Sequence, residues 1–137
     1  MADEAKTFPG KKILIVDDDR DIVEALQTAL SGLGVEVFTA CDGELALTQA
    51  ETHKPDLVVL DMMLPKRSGF LVMERLRRGK KKSEPPRIIM VTGNQGHRHK
   101  TFAQSMGVDD YMNKPFRMEK LLASVEKILT AAGEKPA

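Results

Sequence analysis

The chain has one cysteine, one tyrosine and almost no imbalance of charge. Each scarcity excludes something. A single thiol, Cys41, rules out an intramolecular disulfide and fits a reducing cytoplasm. The 21 basic and 20 acidic residues leave a net charge of +1, without the basic excess that marks a nucleic-acid footprint. No apolar run approaches the ~20 residues of a membrane span. The first residues, Met1 to Lys6, lack the apolar centre of a secretory signal. What is present is ordinary for a soluble globular protein: 42% hydrophobic and 30% charged residues in a chain of 137, the size of one domain with a real core.

Short, β-branched apolar runs alternate with stretches of helical periodicity. Residues 12–16 read as a buried strand. Residues 19–33 carry Ile22, Val23, Leu26, Ala29, Leu30 and Leu33 at helical spacing, with Gly32 and Gly34 closing the helix. Residues 35–39 predict a second strand and 43–52 a second helix. Strand three, 57–60, follows Pro55, and a turn bracketed by Pro65 and Gly69 leads into a helix over 70–78. A basic loop over 79–86 ends in two prolines, which neither a helix nor a central strand would hold. The fourth strand is 87–91, followed by a weaker helix over 97–106. The fifth strand is 108–113, and the last helix, 117–130, carries Leu121, Leu122, Val125, Ile128 and Leu129 on one face. Five strands alternating with five helices predict one parallel sheet covered on both faces, spanning 11–130, with polar, flexible tails over 1–10 and 131–137.

Chemistry gathers at the strand ends. Ile13-Leu14-Ile15-Val16 ends in Asp17-Asp18-Asp19, and Leu57-Val58-Val59-Leu60 ends in Asp61. Ile88-Ile89-Met90-Val91 ends in Thr92-Gly93, and Tyr111-Met112-Asn113 ends in Lys114-Pro115. In a parallel α/β sheet, ligands bind beyond the carboxyl ends of the strands. Each element has a plainer reading. Asp19 and Asp21 suit a helix N-cap and first turn. Asp61 could open a turn, Thr92 could be a β-former, and Lys114 could be a surface lysine. Helix capping leaves Asp17 and Asp18 crowded without compensation, a crowding that a hard cation with oxygen ligands relieves. Carboxylates, a hydroxyl and a lysine converging on one cleft describe a site for a divalent cation and a phosphoryl group.

Together these pieces resemble the receiver domain of two-component response regulators, over about residues 11–129, in the manner of a chemotaxis-regulator-like single domain. The matching residues are Ile15-Val16-Asp17-Asp18, Leu60-Asp61-Met62-Met63-Leu64-Pro65 with Gly69, Met90-Val91-Thr92-Gly93 and Tyr111-Met112-Asn113-Lys114-Pro115-Phe116. The resemblance implies a flavodoxin-like three-layer sandwich with strand order 2-1-3-4-5. It implies that Asp61 is the phosphoacceptor, that Asp18 binds Mg²⁺ directly and Asp17 through water, and that Met63 adds its backbone carbonyl. Thr92, the Gly93 backbone and Lys114 would hold the phosphoryl group, and the Lys114-Pro115 bond would be cis. Thr92 and Tyr111 would form the switch, with Tyr111 turning inward once Thr92 moves.

The implied role is a signalling switch more than a metabolic enzyme, cytoplasmic, with no direct nucleic-acid or membrane partner. The phosphoryl donor would be a sensor histidine kinase or a histidine phosphotransfer protein. The output would be a partner, or a second copy of the chain, on the face made by the helix over 97–106, the strand at Tyr111 and the last helix. No output domain is expected after Thr130, so the chain reads as a stand-alone regulator or an excised domain. Two alternatives remain: the receiver part of a DNA-binding transcription regulator, and a flavin-binding electron carrier. The latter wants a Gly/Ser/Thr-rich phosphate loop after strand one, where this chain has three aspartates. Met63 and Asn94 sit where the family tunes phosphate loss, and an apolar Met63 predicts slow loss. His97 and His99 read as solvated loop histidines, lacking a third metal ligand at suitable spacing. Arg77, Arg78 and Lys80-Lys81-Lys82 read as a solvated basic loop, because no aromatic residue accompanies them.

Overall fold

A computed structural model describes residues 7–64, 68–81, 84–93 and 97–133. The strands are β1 (Lys12–Val16), β2 (Glu36–Ala40), β3 (Leu57–Asp61), β4 (Arg87–Thr92) and β5 (Asp110–Asn113). The helices are α1 (Arg20–Ser31), α2 (Gly43–His53), α3 (Gly69–Arg77), α4 (His97–Ser105) and α5 (Met118–Gly133). All strand pairs are parallel, in the order β2-β1-β3-β4-β5. This is the flavodoxin-like α/β architecture. Among the described residues, no helix is long and apolar enough to cross a membrane.

Side chains alternate across a strand, so each strand feeds two cores. Ile13, Ile15, Leu57, Val59, Ile89 and Val91 face one side, where Leu26 and Leu30 of α1 and Leu121 and Val125 of α5 cover them. Leu14, Val16, Val58, Leu60, Ile88 and Met90 face the other, under Ala46 and Ala50 of α2 and Val72 and Met73 of α3. Double-sided burial explains why β1, β3 and β4 are continuous apolar runs, and why the edge strand β2 is more open.

Several details depart from sequence expectation. Gly32 caps α1 in right-handed geometry, and the left-handed turn falls on Gly34 (φ +74°). Lys54 ends α2 at φ 49°, a left-handed position where glycine is usual. β5 starts at Asp110 because Asp109 is engaged earlier: its carboxylate accepts from the Ile88 backbone at 2.8 Å and pairs with Arg87 at 3.1 Å.

The segment before β1 is also partly docked. Phe8 is half-buried against the α1/α5 core, and its backbone N–H donates to the Leu33 carbonyl at 2.8 Å. Phe8→Ala should therefore lower unfolding free energy by about 1–3 kcal/mol, the scale for losing a partly buried aromatic. Urea unfolding tests this, and a loss below about 0.5 kcal/mol, the scale of surface changes, would show the contact to be idle.

Candidate functional site

Register assembles the site. Val16 pairs with Leu60, so Asp17, one residue on, lies beside Asp61. Thr92 pairs with Asn113, so Lys114 emerges one residue beyond the end of β4. Backbone bonds continue past the strands: Asp17 N–H to Ala40 carbonyl at 3.1 Å, Met62 N–H to Val91 carbonyl at 3.0 Å, and Lys114 N–H to Thr92 carbonyl at 2.7 Å. These hold the chain rigid where the functional side chains leave it.

The Lys114 ammonium bridges two carboxylates, at 2.8 Å from Asp17 and 3.1 Å from Asp61. Both acids are 4% exposed, whereas Asp18 beside them is exposed to solvent. Asp17, Asp18 and Asp61 each present a carboxylate oxygen, all within 4.8 Å of one another. Asp61 also accepts the Met63 backbone N–H at 3.0 Å, and Asp17 accepts that of Asp19 at 2.9 Å. Burial, reinforced by the Asp17 charge, raises the Asp61 pKa above its ordinary 3.8, although the Met63 N–H and Lys114 oppose it. For Lys114, burial works to lower the pKa. The hydrogen bond to Asp17 and the charges of Asp17 and Asp61 outweigh it, leaving the ammonium's pKa raised. An all-oxygen, acid-rich donor set with one solvent-facing member fits a hard divalent cation such as Mg²⁺.

Thr92 is fully buried at the end of β4, and the exposed Gly93 follows it. The Met63 side chain is 59% exposed. The Lys114-Pro115 peptide is cis. Tyr111 lies on β5, half-buried against the α2/α3 core; its hydroxyl is buried with no hydrogen-bond partner among the described residues, and burial raises the pKa above the usual 10.0. Pro65, Asn94 and the side chains of His97 and His99 lie outside the described residues.

Two features escaped the sequence. Lys114 stands closer to Asp17 than to Asp61, a preference set by three-dimensional position alone. Gly69, placed by the sequence in a turn, is where α3 passes over the end of β3. Its N–H donates to the Met62 carbonyl at 2.8 Å, and a Cβ there would lie 2.5 Å from the Asp61 carbonyl oxygen. Asp19, by contrast, caps α1 as its plain reading expects, accepting from the Asp21 and Ile22 N–H groups.

Comparison with known proteins agrees with this geometry. Residues 13–126 match the family model for the response regulator receiver domain. The alkaline phosphatase synthesis transcriptional regulatory protein PhoP of Bacillus subtilis (strain 168) is 47% identical over 120 residues, covering 88% of this chain and 49% of that protein. The chain spans about half the length of the curated relatives it matches. Among solved structures, the BeF3-activated N-terminal receiver domain of Klebsiella pneumoniae RstA superposes with a TM-score of 0.78 at 28% identity, over 87% of this chain and 98% of that one. The chemotaxis response regulator CheY4 of Vibrio cholerae gives 0.77 at 29% identity, over 86% and 98%.

Proposed function

Because the chain belongs to the response regulator receiver family, we propose that it is the phosphoacceptor of a two-component phosphorelay, switched by phosphoryl transfer to Asp61. The donor is a phosphohistidine on a sensor histidine kinase or a histidine phosphotransfer protein in the cytoplasm. The observation that carries this reading is the Lys114 ammonium held between Asp17 and Asp61, with the Asp18 carboxylate beside them.

An Asp61 carboxylate oxygen attacks phosphorus. The P–N bond to the donor imidazole breaks, the imidazole nitrogen takes a proton, and an aspartyl phosphate remains. Such transfer needs alignment and charge neutralisation more than covalent chemistry. Asp18, Asp61 and the Met63 carbonyl, with Asp17 through water, would hold Mg²⁺, which supplies charge neutralisation at the phosphoryl oxygens. Lys114 shifts its pairing from carboxylate to phosphoryl oxygen as a point charge. The Thr92 hydroxyl and the Gly93 N–H donate to the remaining oxygens. The exposed Met63 side chain offers no strong acceptor to orient an attacking water, so the phosphoryl group is lost slowly. Incubation with Mg²⁺ and acetyl phosphate should add one acid-stable, base-labile phosphoryl group, and chelating the metal should prevent it. No incorporation in Mg²⁺, by intact-mass measurement, overturns the reading.

The output runs through α4, β5 and α5. Tyr111 sits half-buried on β5, paired with Met90 of the strand that ends in Thr92. A phosphoryl group that draws Thr92 toward it changes the space behind β4, and Tyr111 responds. Coupling of about 1–3 kcal/mol would alter a partner's affinity roughly 5–150-fold. Beryllofluoride with Mg²⁺ should shift the amide resonances of Tyr111 and of residues 97–106; shifts confined to the cleft would sink this switch. A second reading is the receiver part of a longer DNA-binding transcription regulator. It is favoured by the Bacillus relative, a transcriptional regulatory protein of which the match covers 49%.

A further inference from the structure

The basic stretch after α3 is not uniformly solvated, and what each cation does separates its members. The Arg77 guanidinium is consumed by three carbonyls, those of Lys81, Glu84 and Pro86. Arg78 pairs with Glu74 at 2.8 Å. Among the described residues, Arg75 and Lys80 make no ion pair, and neither does Lys54 at the end of α2. All three line the same cavity of about 380 Å³, where the C-terminal ends of α2 and α3 meet the loop before β4. That volume lies within the ~300–1,000 Å³ of ordinary ligand pockets.

The floor is apolar: Leu47 and Ala50 from α2, Leu76 from α3, and Pro55 and Pro86 beside them. Among the described residues of the lining, three cations face one carboxylate, Glu51. Ala50 and Pro86 are buried, while Lys54, Arg75 and Lys80 are exposed. The cavity opens below the amino ends of the strands. It contains no residue of the Asp61 cleft and none from α4, β5 or α5.

We infer that this cavity docks an acidic peptide segment of a partner protein, with an apolar side chain seated on the Leu47/Leu76 floor and carboxylates paired to Lys54, Arg75 and Lys80. Charge complementarity selects the anion, and the apolar floor selects against a bare one. An inorganic anion would meet only solvated cations. A lipid chain would lie wet along the open side, whereas a peptide needs to bury only one side chain at a time. Docking here leaves the Asp61 cleft uncovered, so a partner can be held while the acceptor is charged and discharged.

The test uses the full chain and an acetylated octapeptide alternating glutamate and leucine, followed by amide chemical-shift titration. Saturable shifts at Leu47, Ala50, Leu76 and Lys80 are expected. Replacing leucine by serine, or glutamate by lysine, should each weaken binding markedly. The double variant Arg75→Glu with Lys80→Glu should lose at least about tenfold in affinity, since two rim charges change sign. Both residues are exposed, and unchanged acetyl phosphate labelling of Asp61 verifies that the variant is folded. Equal binding of the serine or lysine peptide, or no saturable shift in the cavity, overturns the proposal. So does tighter binding of dodecanoate, or of a short oligonucleotide, at the same residues, which would make this a lipid or polyanion site.

Discussion

Asp61→Asn should abolish acetyl phosphate labelling while leaving the metal-free protein no less stable at pH 7. The first half follows from chemistry: a carboxamide does not attack phosphorus as a carboxylate does. Retained base-labile labelling in the variant would refute the acceptor assignment. The second half follows from electrostatics. Burial and the Asp17 charge leave the folded-state pKa of Asp61 above its ordinary 3.8. The folded chain therefore binds this proton more tightly than the unfolded chain does. The stability contribution is fully present below the ordinary carboxylate pKa and is lost as pH rises through the raised folded value. At pH 7 the ionised side chain is a net cost that asparagine does not carry. Asparagine can still accept the Met63 N–H, and Lys114 keeps Asp17. Mg²⁺ should separate the two proteins further. At about a hundred times its dissociation constant, a ligand stabilises by ~2.7 kcal/mol, an increment the variant should lose at least in part. Thermal melts of both proteins with and without Mg²⁺ measure this; a wild-type melt indifferent to Mg²⁺ would count against the metal.

Gly69→Ala should be the most damaging single-methyl change near the site. Two effects oppose each other. Alanine is a better helix former than glycine by about 1 kcal/mol, and Gly69 begins α3. The added Cβ, however, would lie 2.5 Å from both the Asp61 carbonyl oxygen and the Met62 Cα. Those are backbone atoms of a strand end buried on both sides, so nothing cheap can yield. Overpacking of this kind costs about 1–3 kcal/mol, and displacing a paired strand pushes it to the upper end. Steric cost wins, and a net loss of about 1–2 kcal/mol is expected. The displaced atoms belong to Asp61, the proposed acceptor, so labelling should also slow, by up to roughly 100-fold for a shift near 1 Å. Wild-type melting together with wild-type labelling rate would disprove the contact.

The strands were legible because double-sided burial writes itself as uninterrupted apolar runs: β1 occupies residues 12–16 as read, and β3 gains only Asp61. The meeting of Asp17, Asp61 and Lys114 was legible because parallel strands bring their carboxyl ends to one edge of the sheet. What was not legible depends on partners distant in sequence. Residues 7–10 read as tail because the surface that receives Phe8 is built from several elements. The fifth strand starts two residues late because Asp109 is claimed by Arg87 and by the Ile88 backbone. α5 runs past Thr130 to Gly133, where Ala131 and Ala132 favour helix and no local stop signal intervenes. The cavity beside Arg75 was hidden for the same reason: a run of basic residues does not reveal which guanidinium is tied to carbonyls.

The strand order carries a consequence for how the protein is made. β1, the first strand synthesised, becomes the seed of the sheet. β2 adds to one side of it, and β3, β4 and β5 then add in turn to the other. In chain order each strand can add to a free edge of those before it, and none has to be inserted between two already paired. In that order Asp17, Asp18 and Asp61 all precede their counter-ion. Lys114 arrives only with the final strand. A chain halted before residue 114 would carry β3 with no Lys114 ammonium to hold its acids together, and a divalent cation would be the readiest partner they have.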